Sequence, residues 1–284
     1  ASSQYQTPSG VQACKQDGSE VAAQWLGLTG DVKVHRNISK ESSTYQLTAG
    51  SSGTFENMSM SVTLSENRSI LGFYSISHNG ARATMKMSVY VDGTEDATGR
   101  SIASAADYHG IFGLFAQDLP SGNHALKVNY SVDQNVQSNP SNWAGFGMTV
   151  VELPPRSSVS KTELRSSDFP QSKFSATTDW LAVPSLSLSK TLTVGGQCVI
   201  FYSVNLEDNK SSIKTRLTID GKEAPGSRSQ SLGRGQTTLS GTWMGLLAAG
   251  DHSVEVDYQS HTEGQWTQSD WQNFSITFVA IAEQ

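Results

Sequence analysis

Two histidines stand at matched places in this chain. "GNHALKVNYS" puts His124 two residues after Gly122, and "GDHSVEVDYQ" puts His252 two residues after Gly250. An imidazole titrating near neutral pH can act as a general base, a proton shuttle or a metal ligand. The remaining histidines, His35, His78, His109 and His261, show no ligand-like spacing with this pair, whereas a metal site wants its donors clustered. Each matched histidine opens an alternating segment just after a glycine turn. The expectation is therefore structural: a buried imidazole that hydrogen-bonds a neighbouring loop carbonyl and fixes the turn.

The carboxylates offer a second chemistry. "VDGTED" gathers Asp92, Glu95 and Asp96 into one turn, and such a loop could hold Ca²⁺. The matching stretch keeps Asp220 and Glu223 but has Ala224 in the third place, so a solvated hairpin is the default and no cofactor is required. "SVSK", ending at Lys161, and "SSIK", ending at Lys214, fit Ser-x-x-Lys, but neither opens a helix. No His-Glu-x-x-His, Gly-x-Ser-x-Gly or phosphate-loop motif occurs. The chain is expected not to be an enzyme.

Loops offer a third. "QSHTEGQWTQSDWQN" carries His261, Glu263, Trp266 and Trp271, where the earlier matched stretch has Asp133, Asn135, Ser138 and Trp143. Trp271 is shared and reads as packing. Trp266 is private to the later stretch: an exposed indole among polar neighbours could stack on a sugar, anchor a protein partner or fold back on the domain. Tyr108 and His109 in "AADYHGIFG" are a weaker candidate of the same kind.

All these candidates sit on a repeated frame. Shifted by 128 positions, Leu71 to Glu152 meets Val199 to Ala280 without a gap. Phe73-Tyr74-Ser75 meets Phe201-Tyr202-Ser203, Asp92-Gly93 meets Asp220-Gly221, Arg100 meets Arg228 and Gly113 meets Gly241. Such a repeat sets the domain count. Residues 1–20 read as a tail, 21–153 as one domain, 154–160 as a linker stiffened by Pro154-Pro155, and 161–284 as the second domain. The linker is short enough that the two copies should touch.

Within each copy the pattern has period two. His124, Leu126, Val128 and Tyr130 point one way, and Ala125, Lys127 and Asn129 the other. Met85, Met87, Val89 and Val91 share an inward face, as do Ile213, Thr215, Leu217 and Ile219, and each strand ends in an Asp-Gly turn. No stretch carries a helical stripe. The fold class is all-β: two tandem antiparallel β-sandwiches of jelly-roll type, related by the 128-residue repeat.

Composition marks the setting. The 284 residues carry a formal charge of −6, with 16% charged and 36% hydrophobic residues. Without a basic cluster, nucleic acid is not a partner, and no apolar run approaches the roughly 20 residues of a membrane span. Six Asn-X-Ser sequons occur, at Asn37, Asn57, Asn67, Asn129, Asn209 and Asn273. The opening residues lack Met and a hydrophobic signal core and read as a mature N-terminus. Both point to a secreted glycoprotein. There Cys14 and Cys198 could pair; the alternative is a buried free thiol at Cys198 within "CVIFYSV".

Three stretches carry a family resemblance. "GFYSISHN", "LAAGDHSVEV" and "NWAGFGMTV" resemble the aromatic strand, the Gly-Asp strand and the closing Phe-x-Gly-Phe strand of C1q/TNF-like jelly-roll modules. The second copy departs from that pattern with "QNFSITF", and the chain has no collagen stalk. The resemblance implies an extracellular recognition or matrix module, often trimeric and without catalysis. The expected partners are an extracellular protein or further copies of the chain. Two alternatives stand beside this: a lectin-like carbohydrate binder using Trp266, and a polysaccharide-active enzyme.

Overall fold

Alternating apolar residues need a sheet to bury one face, and in the computed structural model they form antiparallel strands throughout. The structure describes residues 32–39, 45–79, 83–105, 108–133, 135–138, 146–164, 173–208, 212–231, 235–261, 263–266 and 274–281. The first half contributes β1 (Lys33–Ser39), β2 (Tyr45–Leu47), β3 (Ser52–Leu64), β4 (Arg68–Asn79) and β5 (Ala83–Val91). It continues with β6 (Thr94–Ala105), β7 (Tyr108–Leu119), β8 (Gly122–Val132), β9 (Val136–Ser138) and β10 (Phe146–Glu152). The second half contributes β11 (Ser158–Leu164), β12 (Lys173–Phe174), β13 (Thr177–Leu192), β14 (Gly196–Asp208), β15 (Ile213–Ile219) and β16 (Lys222–Glu223). Then come β17 (Ser229–Ser231), β18 (Gly235–Leu247), β19 (Gly250–Ser260), β20 (Gly264–Trp266) and β21 (Phe274–Ile281).

The pairings define a jelly roll. In the first half β1 pairs β10, β3 pairs β8, β4 pairs β7 and β5 pairs β6. Four nested antiparallel pairs of this kind make a ribbon, and rolling it up gives two facing sheets. One sheet runs β1-β10-β4-β7 and the other β3-β8-β5-β6. The second half makes the corresponding pairings: β11 with β21, β13 with β19, β14 with β18, and β15 with β16 and β17. β11 starts at Ser158, inside the segment expected to be linker. Asp118 holds that start in place: it accepts from the Val159 amide at 3.3 Å and from Ser69 Oγ at 2.5 Å.

Each half buries its own core. Tyr74, Met85, Met87, Val89, Phe115 and Val128 fill the first; Ile200, Tyr202, Leu217, Val256 and Phe278 fill the second. A third apolar cluster joins the halves through Leu71, Ala116, Val151, Val199, Phe201 and Val279. This explains the continuous apolar runs in β4 and β14. Tyr74 and Tyr202 face their own cores, whereas Leu71, Val199 and Phe201 face the other half. A strand covered on both faces loses its polar alternation. At the seam, β18 bridges to β6 at Thr237 and Ala103, and the Ile102 amide donates to Thr238 Oγ1 at 2.8 Å. The two halves therefore touch, as their short connection requires.

A Tyr–Gly pair recurs in both cores. Tyr74 lies across from Gly113, and Tyr202 across from Gly241. An added Cβ at Gly113 would stand 2.3 Å from the Tyr74 ring. The Tyr74 hydroxyl donates to the Gly99 carbonyl at 2.6 Å, and the Tyr202 hydroxyl to the Ser227 carbonyl at 3.0 Å. An aromatic ring laid over a cross-strand glycine fills the space the glycine leaves. This gives a physical reason for glycine at both places.

Candidate functional site

The matched histidines and the matched Asp-Gly turns belong to one constellation. Asp92 (φ 52°) and Gly93 (φ 83°) form the tight turn between β5 and β6; Asp220 (φ 51°) and Gly221 (φ 71°) form its counterpart. Two consecutive left-handed residues make the hairpin turn whose twist suits the flanking strands, and Asp tolerates that conformation better than most residues. The turn places each Asp beside the start of the strand that pairs next to it. Asp92 Oδ1 accepts from the Ala125 amide at 2.8 Å while the Asp92 amide donates to the Ala125 carbonyl at 2.8 Å. Asp220 and Ser253 repeat this at 2.9 and 2.8 Å.

The imidazoles close the arrangement. His124 Nδ1 meets Asp92 Oδ2 at 2.7 Å, and its Nε2 meets the Pro120 carbonyl at 2.8 Å. His252 does the same with Asp220 at 2.8 Å and the Ala248 carbonyl at 2.9 Å. A carbonyl and a carboxylate only accept, and a neutral imidazole carries one N–H. Making both bonds requires the doubly protonated ring. At His124 burial pulls the imidazole down, yet the bonds to Asp92 and Pro120 outweigh it and leave its pKa raised. At His252 the Ala248 carbonyl and then Asp220 raise it against burial. Asp92 and Asp220 are held below the ordinary carboxyl value, first by their histidine and then by the strand amide. With both nitrogens engaged and the ring buried, this histidine has neither a free lone pair for a metal nor an open face for a substrate. The carbonyl bond expected from the sequence is present; the Asp partner is the new element.

The calcium reading of Asp92, Glu95 and Asp96 is corrected. Asp92 serves His124. Glu95 takes Arg100 in a bidentate pair at 2.7 Å on both arms. Asp96 turns to the opposite face of β6, where it is buried and accepts from Thr98 Oγ1 and Lys161 Nζ, each at 2.6 Å. Successive strand residues face opposite sides, so the three carboxylates cannot converge. Among the described residues no group of three His, Cys, Asp or Glu side chains could hold a metal ion. Lys161, last residue of one Ser-x-x-Lys match, is the partner that crosses between halves to Asp96.

The loop candidates fare differently. His261 and Glu263 are exposed beside β20. The backbone of Trp266 ends β20 and pairs with Leu206, and the backbones of Tyr108 and His109 open β7 opposite Asn79 and His78. The side chains of these three lie outside the described residues. Cys198 is buried as a free thiol, its Sγ donating to the Gly196 carbonyl at 3.6 Å. Of the two arrangements considered for it, the structure carries the free thiol; Cys14 lies outside the described residues. Burial, with the Lys190 charge opposing, pushes the Cys198 thiol up to about 11, which makes it a poor nucleophile at neutral pH.

The sequons also separate. Asn37 Nδ2 donates to the Ser59 carbonyl at 2.7 Å and is not free for a sugar. Asn67 sits exposed in the turn between β3 and β4, its Oδ1 accepting from the Ser121 amide at 2.9 Å. Asn129 is half-buried, with Oδ1 bonded to Thr54 Oγ1 at 2.5 Å. Asn209 and Asn273 lie outside the described residues, as does the side chain of Asn57. Expressed in a glycosylating eukaryotic host, the chain should carry glycan at Asn67 and little at Asn37. Glycopeptide mapping checks this, and full occupancy of Asn37 would contradict it.

Sequence reasoning passed over two features. Trp180 on β13 is stacked by Arg216, whose guanidinium carbon lies 4.3 Å from the ring centre, and by Arg228 at 5.6 Å. Arg216 in turn holds Asp257 at 2.9 Å and Glu223 at 3.0 Å. The first half has Ser52, Ser88 and Asn129 at the places of Trp180, Arg216 and Asp257. The second feature is a cleft of about 520 Å³ at one end of the second half, walled in part by Arg156, Lys190 and Cys198. Its signal in the sequence was a lysine in phase with Leu188 and Leu192.

No family model matches the chain, and no curated protein matches it. Among solved structures, it is similar to a D431N mutant of the VP2 protein of infectious bursal disease virus at 8% identity and a TM-score of 0.29. That likeness covers 100% of this chain and 45% of the viral one, so the chain spans less than half of that protein's length. Dimeric latent PorU from Porphyromonas gingivalis is similar at 11% identity and a TM-score of 0.30, over 88% of this chain and 20% of that one. The PBSX exported protein XepA is similar at 9% identity and a TM-score of 0.21, over 89% and 87% of the two chains. These are remote likenesses, and no function follows from them.

Proposed function

We propose that this chain is a secreted, non-catalytic glycoprotein whose two jelly rolls act as an extracellular binding and assembly unit. One observation carries the reading: the halves match where polar groups are used up by the fold and differ where apolar groups are exposed. Val194 is 77% exposed and Leu246 is 71% exposed. They occupy the places held by Glu66 and Asp118 in the first half. Both lie at the same end of the second half, since the turn after Val194 packs Gly195 against the Leu247 carbonyl. Large apolar side chains exposed together mark contact surfaces, while the first half fills the same places with Glu66, paired with Arg68, and Asp118, bonded to Ser69 and the Val159 amide. The C1q/TNF-like resemblance agrees with an assembling extracellular module.

Light scattering over a concentration series tests it. The wild-type chain should self-associate, and a chain with Val194→Glu and Leu246→Asp, the first half's own residues, should remain monomeric. A strictly monomeric wild type, or a variant that associates equally well, would remove the assembly reading.

A further inference from the structure

The cleft at the end of the second half holds two cations and, among the described residues, no carboxylate lines it. Lys190 is the unusual one. It pairs with His252 in the β13–β19 register, while Thr191 pairs with Asp251 and bonds its carboxylate on the opposite face. His252 is buried, so Lys190 projects from the core face of β13. The same place in the first half is Val62, fully buried opposite His124. A lysine that replaces a core valine carries its charge into a region where charges need partners. Its ammonium bonds only hydroxyls, Ser158 Oγ at 3.3 Å and Ser160 Oγ at 3.0 Å.

Arg156 is the second cation. It sits in the turn joining the halves with φ at 69°, a left-handed backbone that costs a residue with a Cβ on the order of 1 kcal/mol. Its guanidinium is exposed and has no ion-pair partner among the described residues. At the corresponding end of the first half the cation has a carboxylate partner: Arg68 bonds Glu66 at 2.8 Å and the Leu153 carbonyl at 3.4 Å. The Ser157 amide donates to the Pro154 carbonyl at 3.2 Å, so a closed turn sets the Arg156 backbone and holds its guanidinium out beside the cleft.

From this geometry we infer that the cleft binds an oxyanion carried on a sugar frame, a sulfate or carboxylate group of an acidic saccharide, with Arg156 and Lys190 as its two cationic contacts. A volume of about 520 Å³ far exceeds one bare oxyanion and suits a small organic ligand. The remaining wall is of two kinds. Ser158 and Gln197 offer polar groups for hydroxyls, and Val194 and Ile281 offer an apolar surface for the C–H face of a ring. The inference goes beyond the binding reading by naming a ligand class and a site, and it can fail independently of assembly.

Isothermal titration calorimetry on the whole chain tests it, with four probes: inorganic sulfate, a sulfated disaccharide, a uronate disaccharide and the neutral parent disaccharide. A sulfated or uronate sugar should bind at least roughly tenfold more tightly than the neutral sugar and than inorganic sulfate, as one charge-assisted contact allows. Arg156→Gly keeps and relaxes the left-handed turn, and Lys190→Met keeps the buried stem. Each should lose about tenfold in affinity while melting no lower than wild type, and Lys214→Ala, which pairs with Gln259 at the far end of β19 from His252, should change nothing. Equal binding of the neutral sugar, equal binding of inorganic sulfate, or undiminished binding in both variants would overturn the inference. So would a chain that associates in light scattering yet binds no acidic sugar, and that result would leave the assembly reading intact.

Discussion

Gly241→Ala should destabilise the chain by about 3 kcal/mol or more, with a matching fall in the denaturant midpoint. The added Cβ would stand 2.1 Å from the Ser227 carbonyl oxygen and 2.6 Å from the Tyr202 ring. The first of these is backbone, pinned by the Tyr202 hydroxyl and by Ser227 Oγ, which donates to the Ala224 carbonyl at 2.7 Å. It cannot swing aside as a flexible side chain would. Gly113→Ala meets only the Tyr74 ring, held in the core by its bond to the Gly99 carbonyl, and should cost less, about 1–3 kcal/mol. Gly110→Ala, with nothing within 4 Å of its new methyl, is the control and should shift stability by no more than about 0.5 kcal/mol. Equal stability of Gly241→Ala and Gly110→Ala would show that the Tyr–Gly pairs do not constrain the two cores.

The second large effect is a dependence of stability on pH that resides in the histidine turns. The folded imidazoles of His124 and His252 have raised values. Their contribution is therefore complete below the unfolded value of about 6.5 and is lost as pH climbs through the folded one. The carboxyls of Asp92 and Asp220 are lowered. Their contribution is present above about 3.9 and lost as pH falls through the folded value. Both contributions hold together between these limits. The melting temperature should fall as pH climbs above about 6.5, and the fall should shrink when both histidines are replaced by Gln. Asp220→Ala also places a Cβ residue without a local hydrogen bond at φ 51° and orphans two donors, at a cost of about 2 kcal/mol. Asp220→Asn, which tolerates that conformation and keeps an acceptor, should lose less. A double Gln variant with the wild-type pH profile would remove the charged histidine from the account.

Much of this was legible before the structure. The 128-residue spacing, the period-two faces and the Asp-Gly turns follow from local chemistry, and Met85, Met87, Val89 and Val91 are buried together as their phase demands. The bond between His124 and Asp92 was not read, because it joins residues 32 apart that the pattern assigns to different strands. A trace existed: Asp220 and His252 keep the same separation. Taken singly, Asp92 looked like a calcium ligand and His124 like a lone pin. Asp96 was misread for a related reason. Its partner Lys161 belongs to the other half, and the contact exists only because the halves pack. Lys190 was overlooked although its phase with Leu188 and Leu192 placed it inward, because a lysine in a Ser-rich strand reads as solvated. Trp180 went unremarked because its two arginine neighbours come from distant strands.

The central claim is that the repeated histidines are clamps of the fold and take no part in a reaction. The ¹⁵N chemical shifts of the imidazoles of His124 and His252, followed through a pH titration, test it most directly. Both nitrogens of each ring should be protonated at mildly acidic pH, and both rings should stay so to a pH above the usual histidine value. Rings found as a single neutral tautomer at mildly acidic pH, with one nitrogen free to accept, would contradict the clamp and return these histidines to the list of groups able to do chemistry.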